Sequence, residues 1–596
     1  MMMRSRLLFM ALQWIKLRRV LLLTLPVGII AGLGSVVFYV LLDLSHTMFL
    51  DHLAGFRPMG PAGEHSIFPP SNKEFIRWML LVVPTLGGIL SGLIVFSLAP
   101  EAEGHGTDSA IEAFHFKKAI IRPIVPFVKI VASAITIGSG GSGGREGPIA
   151  QIGAGFGSII ASKLGLSEKE RRILMMAGMS AGIGSIFHAP LAGAIFAAEI
   201  LYRDIDMEYE LLVPSAITSV IAYCIFSLFF GFGHLFVTPS FKFHHAGELF
   251  PYTILAIVVA FSGNIFARLF YAIRDLFVKL PILPHFKPAI GGFLTGLIGY
   301  FVPDALYTGY GLVQRALDGN IIVYTLIMAA VARMFTTAFS IGSGGSGGVF
   351  GPSVVIGGSI GGASGMIMQN IWPNLVPNPE AYAIVGMAGF FASAASTPFS
   401  TVIMVSEMTG NYELLLPSIW VCTLAFLLKG KKGLYEKQLM TRYETPIHQG
   451  EFMLGILGSL TVQEALVRYS KIKPKILMAN KPVHKLLKEV LNSKLPYLPV
   501  VDEKGKYLGV IKRKIAKRYY QDRFNQEITL DKLLSDWPAV YSWHTLDKAL
   551  HYMASQGVDE AIVLSERRPP GNIVGILRTA DIIKAYRDTV YSENSD

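Results

Sequence analysis

The stretch IGSGGSGGREGP at residues 137–148 returns as IGSGGSGGVFGP at residues 341–352, 204 positions later. Other pieces share that spacing. PTLGGILSGLI begins at Pro84 and PAIGGFLTGLI at Pro288, and Lys129 and Arg333 stand the same 204 positions apart. A second set follows at 208, pairing Gly178 with Gly386, Pro190 with Pro398 and Glu199 with Glu407. A spacing shared across separate segments marks an internal duplication of about 200 residues. The fold must therefore hold two related halves, each of them interrupted by a glycine-rich break.

Both breaks lie in the most apolar part of the chain. Hydrophobic residues make up 52% of it and charged residues 16%. Soluble domains carry about 25% charged residues, so this is the composition of a membrane protein. Apolar runs at 20–42, 79–98, 173–201, 211–230, 252–270, 321–338 and 381–408 approach or exceed the roughly 20 residues of a spanning helix. The run at 414–428 and several glycine-rich runs are shorter, so some helices are expected to cross only partway. The net charge of +11 comes from basic residues spread over loops and the C-terminal third. These read as membrane-flanking cations and not as a nucleic-acid surface. Arg4, Arg6, Lys16, Arg18 and Arg19 precede the first apolar run and place the N-terminus in the cytoplasm. That run lacks a small-residue cleavage site and reads as an uncleaved helix. Cys224 and Cys422 both fall in apolar runs and read as buried thiols, with no disulfide framework or zinc spacing. No nucleophile–base constellation suggests an enzyme.

Irregular backbone cannot face lipid, because its unpaired N–H and C=O groups cost several kcal/mol there. The two breaks should therefore lie inside the bundle, joining helices. Glycine lets backbone amides approach a ligand closely, and a helix starting near Gly-Pro presents a positive dipole end. Two such starts, one from each half, would make a dry anion site. The competing reading is a small-residue packing seam, which leaves Glu146 without a reason. An ionisable group at membrane depth is functional by default. Ionised, Glu146 would compete with the anion for the same donors, and protonated it would leave them, which makes it a gate.

From about residue 430 the chain turns basic and polar, and no spanning run follows. PYLPVVDEKGKYLGVI at 496–511 and DEAIVLSERRPPGNIVGIL at 559–577 share a strand–turn–strand form flanked by amphipathic helical patterns. They read as a tandem repeat of a small α/β unit. SEKE at 167–170 reads as a capping box, and the pair His244–His245 lacks metal-ligand spacing.

In this order and context the motifs resemble the CLC chloride channels and chloride/proton antiporters, over essentially the whole chain. GREGP at 144–148 is similar to that family's gating-glutamate motif and GVFGP at 348–352 to its second anion-binding motif. Tyr435, in GLYEKQL, stands where the family's pore tyrosine lies, and the tail resembles tandem CBS domains. The resemblance implies an all-α polytopic membrane protein of two inverted repeats with a C-terminal α/β tandem CBS domain. Its implied divisions are a cytoplasmic segment at 1–19, a membrane domain at 20–442 (repeats at about 20–225 and 250–430) and a cytosolic tail at 443–596. It implies a homodimer in a cell (inner) membrane, both termini cytoplasmic, that moves chloride or a related small anion. It further implies an outer gate at Glu146, and anion contacts from Gly144, Arg145, Gly147, the amides of Val349 and Phe350, and the Tyr435 hydroxyl.

Two positions depart from the family pattern. Where the family has GSGIP this chain has GHGTD at 104–108, so His105 takes the serine's place. Its ring could donate N–H to the anion, or it could point away and leave only its backbone in use. Ile200 takes the place of the antiporters' inner glutamate, an apolar choice that the channels share. Passive conduction is therefore the leading expectation, with proton-coupled exchange as the alternative. Glu199 aligns with a structural glutamate, and 203–210 reads as a solvated loop. In the tail, RTAD at 578–581 matches the pattern in which Thr579 and Asp581 hold the ribose of an adenine nucleotide. The first tail repeat has KRKIAK there instead, and a purely structural tail is the alternative. No other cofactor and no metal is expected.

Overall fold

The computed structural model describes residues 2–470, 475–521, 528–565 and 571–593. The chain divides into two compact units, Met1–Thr445 and Pro446–Asp596. In the first unit the principal helices form two runs of eight in the same order. The first run is α1 (Met2–His46), α2 (Met79–Leu98), α3 (Thr107–His115), α4 (Val125–Gly138), α5 (Glu146–Lys163), α6 (Glu168–Ile186), α7 (Pro190–Glu199) and α8 (Tyr209–Phe230). The second is α9 (Leu249–Lys279), α10 (Lys287–Phe301), α11 (Tyr310–Leu317), α12 (Val323–Gly342), α13 (Phe350–Ile371), α14 (Ala381–Ala395), α15 (Pro398–Thr409) and α16 (Leu415–Leu427). Among the described residues six helices are long and apolar enough to cross a membrane, and the shorter apolar ones include α4, α7, α14 and α16. Helix α1 begins at Met2, upstream of the apolar run, so the basic residues before it are part of the helix.

Two apolar runs that read as single spans are broken. Run 173–201 is α6 and α7 joined at His188, whose φ is +54°, and run 381–408 is α14 and α15 joined at Ser396, with φ +60°. The cause is proline. Pro190 and Pro398 carry no N–H and cannot continue a helix, but they suit its first turn, so each ends one helix and starts the next.

The halves pack with opposite direction. A Cβ on Gly88 would meet the Pro288 carbonyl at 2.2 Å, and one on Gly292 would meet the Pro84 carbonyl at 2.2 Å. One turn further, Gly92 lies on the His285 carbonyl and Gly296 on the Leu80 carbonyl. Helices α2 and α10 are thus antiparallel and in backbone contact, which only glycine permits. Helices α7 and α15 show the same exchange through side chains. The Glu199 carboxylate accepts from the amides of Phe399 (2.9 Å) and Ser400 (2.8 Å) at the start of α15. Glu407 accepts from those of Leu191 (3.2 Å) and Ala192 (2.8 Å) at the start of α7. Each carboxylate caps its counterpart's helix and complements that helix's dipole.

Cys422 is buried as expected, but Cys224 is exposed: it lies on the outward face of α8 with Val213, Val220 and Leu228. An apolar run near lipid needs only one inward face, so membership of the run does not bury a thiol. The SEKE box forms, with the Glu170 amide donating to the Ser167 hydroxyl and the Glu170 carboxylate accepting from the Ser167 amide. In the loop at 203–210, Glu208 is buried and accepts from the Tyr202 hydroxyl.

The second unit contains two three-stranded sheets. In the first, β1 (Leu477–Met478) pairs parallel with β2 (Tyr497–Val501), which pairs antiparallel with β3 (Tyr507–Lys512). In the second, β4 (Ala539–Tyr541), β5 (Glu560–Leu564) and β6 (Ile573–Arg578) repeat that order. Both antiparallel pairs carry a register shift at the same place, Val500/Val501 and Val563/Leu564. Tyr497, Val510, Ile562, Leu564 and Ile576 form a buried cluster between the repeats.

Candidate functional site

Three irregular segments meet at the centre of the first unit. Gly144 and Gly348, equivalent positions of the two breaks, exchange backbone hydrogen bonds of 2.8 Å in both directions. Gly104 joins from the turn before α3, donating to the Gly345 carbonyl and accepting from the Gly347 amide, both at 3.2 Å. Serines from each break bind the other half: Ser142 to Thr337 at 2.9 Å, Ser346 to Ser133 at 2.8 Å. The polar groups of the breaks thus satisfy one another, as burial at membrane depth requires.

This junction aims helix starts at one small cavity. Thr107, Glu146 and Phe350 are the first residues of α3, α5 and α13, and all three line it with Ile183, Phe187, Phe196, Met404 and Tyr435. Its free volume is about 10 Å³, room for about one water molecule. The Glu146 side chain forms part of its wall. Its Oε1 accepts from the Gly351 amide in the first turn of α13, and the Phe350 amide also faces the carboxylate. Glycine makes the fold-back feasible, since a Cβ on Gly144 would come within 1.9 Å of Oε1 and one on Gly348 within 2.6 Å. The other oxygen, Oε2, is buried and has no hydrogen-bond partner among the described residues. A carboxylate therefore sits where a helix N-terminus would hold a free anion, and it is only half satisfied there.

Phe350 closes the cavity from the side, its ring 4.4 Å from Phe391 and 5.3 Å from Phe187 between centroids. Val349 is buried as the residue preceding α13. Gly147 packs on the His105 carbonyl, where a Cβ would approach to 2.0 Å. Arg145 turns away from the cavity: its guanidinium pairs with Glu64 at 2.8 Å and lies over the rings of Tyr310 and Tyr39. Tyr435 lines the cavity beside the Thr107 hydroxyl.

The ring of His105 does not line that cavity. It lines a larger one of about 320 Å³ with Asp108, Arg274 and Lys437, and its Nε2 lies 3.3 Å from Asp108 Oδ2. The residue that brings a hydroxyl into the small cavity is Thr107, two positions on, which sequence reasoning did not single out. A signal was present in GHGTD. Gly104 and Gly106 adopt φ of +67° and +83°, so α3 begins only after the second glycine and its first side chain points where the other helix starts point.

Lys129 and Arg333 have structural partners. Lys129 Nζ donates to the carbonyls of Ala102 (2.9 Å) and Gly104 (2.7 Å). Arg333 donates to those of Asp304, Leu306, Tyr307 and Thr308. Ile200 is fully buried at the end of α7. In the tail, Thr579 donates to the Asp559 carbonyl (3.3 Å), and the buried Asp581 is bound by the backbone amide and guanidinium of Arg578. His244 reaches Glu248 at 3.5 Å, and no group of metal-ligating side chains occurs among the described residues.

Inverted repeats, half-length helices and helix starts converging on an anion-sized cavity define a membrane transport protein. The chain belongs to the voltage-gated chloride channel family, whose model matches residues 87–430. A CBS domain model matches residues 469–521. The Ralstonia nicotianae protein called "Putative chloride channel protein ClcB-like" is 31% identical over 360 residues, covering 60% of this chain and 83% of its own length. The Salmonella paratyphi A "H(+)/Cl(-) exchange transporter ClcA" is 31% identical over 379 residues, 61% of this chain and 79% of its own. Among solved structures, a slow cyanobacterial Cl-/H+ antiporter superposes with a TM-score of 0.61 at 24% identity, covering 70% of this chain and 96% of its own. A eukaryotic CLC transporter superposes with a TM-score of 0.56 at 19% identity over 95% of this chain and 98% of its own. These structural likenesses bear on the fold.

Proposed function

We propose that this protein carries chloride across a cell membrane through the cavity bounded by Thr107, Phe350 and Tyr435, in exchange for protons. The observation that carries the reading is the Glu146 carboxylate seated on the first amides of α13. Chloride and the carboxylate need the same donors, so one must leave for the other to enter. A proton on the partnerless Oε2 removes the charge that holds the side chain there, which links anion entry to proton uptake. The Thr107 and Tyr435 hydroxyls supply donors from the opposite wall. The relatives named as exchange transporters favour exchange over passive conduction. The basic residues before the first apolar run support a cytoplasmic N-terminus.

The test is flux from liposomes holding the purified protein, with chloride and pH read together. A chloride gradient is expected to drive protons uphill at a fixed ratio. Chloride flux with no movement of pH would leave chloride transport standing and remove exchange. Glu146→Gln is expected to abolish the pH dependence of chloride flux, because the carboxylate that takes up the proton is gone. Unchanged pH dependence in that variant would remove Glu146 from the gate.

A further inference from the structure

Proton exchange needs a route between Glu146 and water, and Ile200 at the end of α7 is apolar and fully buried. On the side of the small cavity walled by Tyr435, the imidazole of His105 stands between that cavity and a larger one of about 320 Å³. His105 is 7% exposed. Its Nε2 faces Asp108 and the 320 Å³ cavity, and its ring stands edge-on to Tyr435 with centroids 5.3 Å apart. Its Nδ1 is buried without a hydrogen-bond partner among the described residues. A histidine kept only for packing would leave that nitrogen as an uncompensated cost, and an apolar ring would serve the same space better.

Several of the charged groups around His105 are paired with one another. Glu101 binds Arg122 at 2.5 Å, and Glu112 binds Lys117 at 2.6 Å and Lys437 at 3.2 Å. Arg274, from α9, binds Glu436 at 2.5 Å. Lys129 is tied to backbone carbonyls, and Glu103 and Tyr271 line the cavity further along. Asp108 also accepts from the amides of Glu436 (3.2 Å) and Lys437 (3.1 Å), which fixes it in place. The carboxylate and ring are thereby held next to each other, as a proton-transferring imidazole requires.

We propose that His105, oriented by Asp108, passes protons between the Lys437-side cavity and Glu146. The imidazole takes a proton from cavity water on one ring nitrogen and releases the proton held on the other. Asp108 balances the charge in between. The released proton moves along the Tyr435 and Thr107 hydroxyls, each of which gains one proton and loses one, and ends on the Glu146 carboxylate. A flip of the ring restores the starting tautomer. This rests on the exchange reading above.

The experiment compares the unsubstituted protein with His105→Gln and His105→Asn in liposomes, reading protons moved per chloride. The unsubstituted protein must drive protons uphill; if it does not, the exchange reading itself has failed. Given exchange, both variants are expected to lower the proton-to-chloride ratio at least tenfold. A ratio equal to that of the unsubstituted protein overturns the relay and leaves exchange intact. Equal loss of both fluxes, with the ratio kept, assigns the ring to structure and also overturns it. If neither variant folds, 15N-histidine NMR of the unsubstituted protein decides: a His105 ring whose two nitrogens exchange no proton while exchange transport proceeds removes the proposal.

Discussion

Lys129 and Arg333 are fully buried cations whose partners are backbone carbonyls at the turns before α3 and α11. Those turns set where Thr107 and Tyr310 begin their helices, so the cations act on the pore through backbone geometry. Lys129→Met would leave two buried carbonyls unpaired, at about 1–3 kcal/mol each. A lowered melting temperature in detergent is expected, with a larger drop for Arg333→Met, which unpairs four. Unchanged melting together with lost chloride binding would show the cation serving the anion directly. Thr107→Val keeps the shape and removes the hydroxyl. Chloride binding, measured by calorimetry, is expected to weaken about fivefold, near 1 kcal/mol for one hydrogen bond. Equal affinity in the two proteins would take Thr107 out of the site.

At the scale of elements, the exchange of caps between α7 and α15 makes a quantitative prediction. Replacing Glu199 or Glu407 by Ala strips a helix start of its acceptor and should cost about 1–2 kcal/mol each. The melting shift of the double variant is expected to fall short of the sum, because both helices share one contact surface. Strict additivity would mean that the two caps are independent. Much of this architecture was legible in the chain. The 204-residue spacing located both breaks, and Glu146 stood out because a carboxylate in an apolar glycine run has no packing role. The breaks at His188 and Ser396 were not legible from hydropathy, since apolar residues continue on both sides and only Pro190 and Pro398 mark them. Thr107 was passed over because a histidine two positions earlier is the more conspicuous chemical group, whereas the direction of a side chain at a helix start depends on the positive φ of Gly106, a backbone property that composition does not display.

Over the whole molecule, the tail carries a carboxylate that makes its stability depend on pH. Glu489 in the tail accepts from Lys481 (2.8 Å) and forms an ion pair with Lys475 (3.1 Å), which hold its carboxyl below its ordinary value of 4.5. A group depressed in this way adds stability above its unfolded value, and that stability is lost as pH falls through the folded one. The tail of the full chain is therefore expected to become more sensitive to protease as pH drops below about 4.5, and Glu489→Gln to flatten that response. An unaltered response in the variant would assign the acid sensitivity to other groups. The reciprocal bonds that join the halves also bear on the history of the chain. Gly144 with Gly348 and Glu199 with Glu407 each complete an equivalent position in the other repeat, so either half alone would face lipid with open amides. Once the ancestral copies came to rely on one another in this way, the fusion could not be undone. Drift in one copy then became a selective pressure on its twin, and the equivalent positions Glu146 and Phe350 have diverged at the contact itself, the carboxylate of one facing the amide of the other.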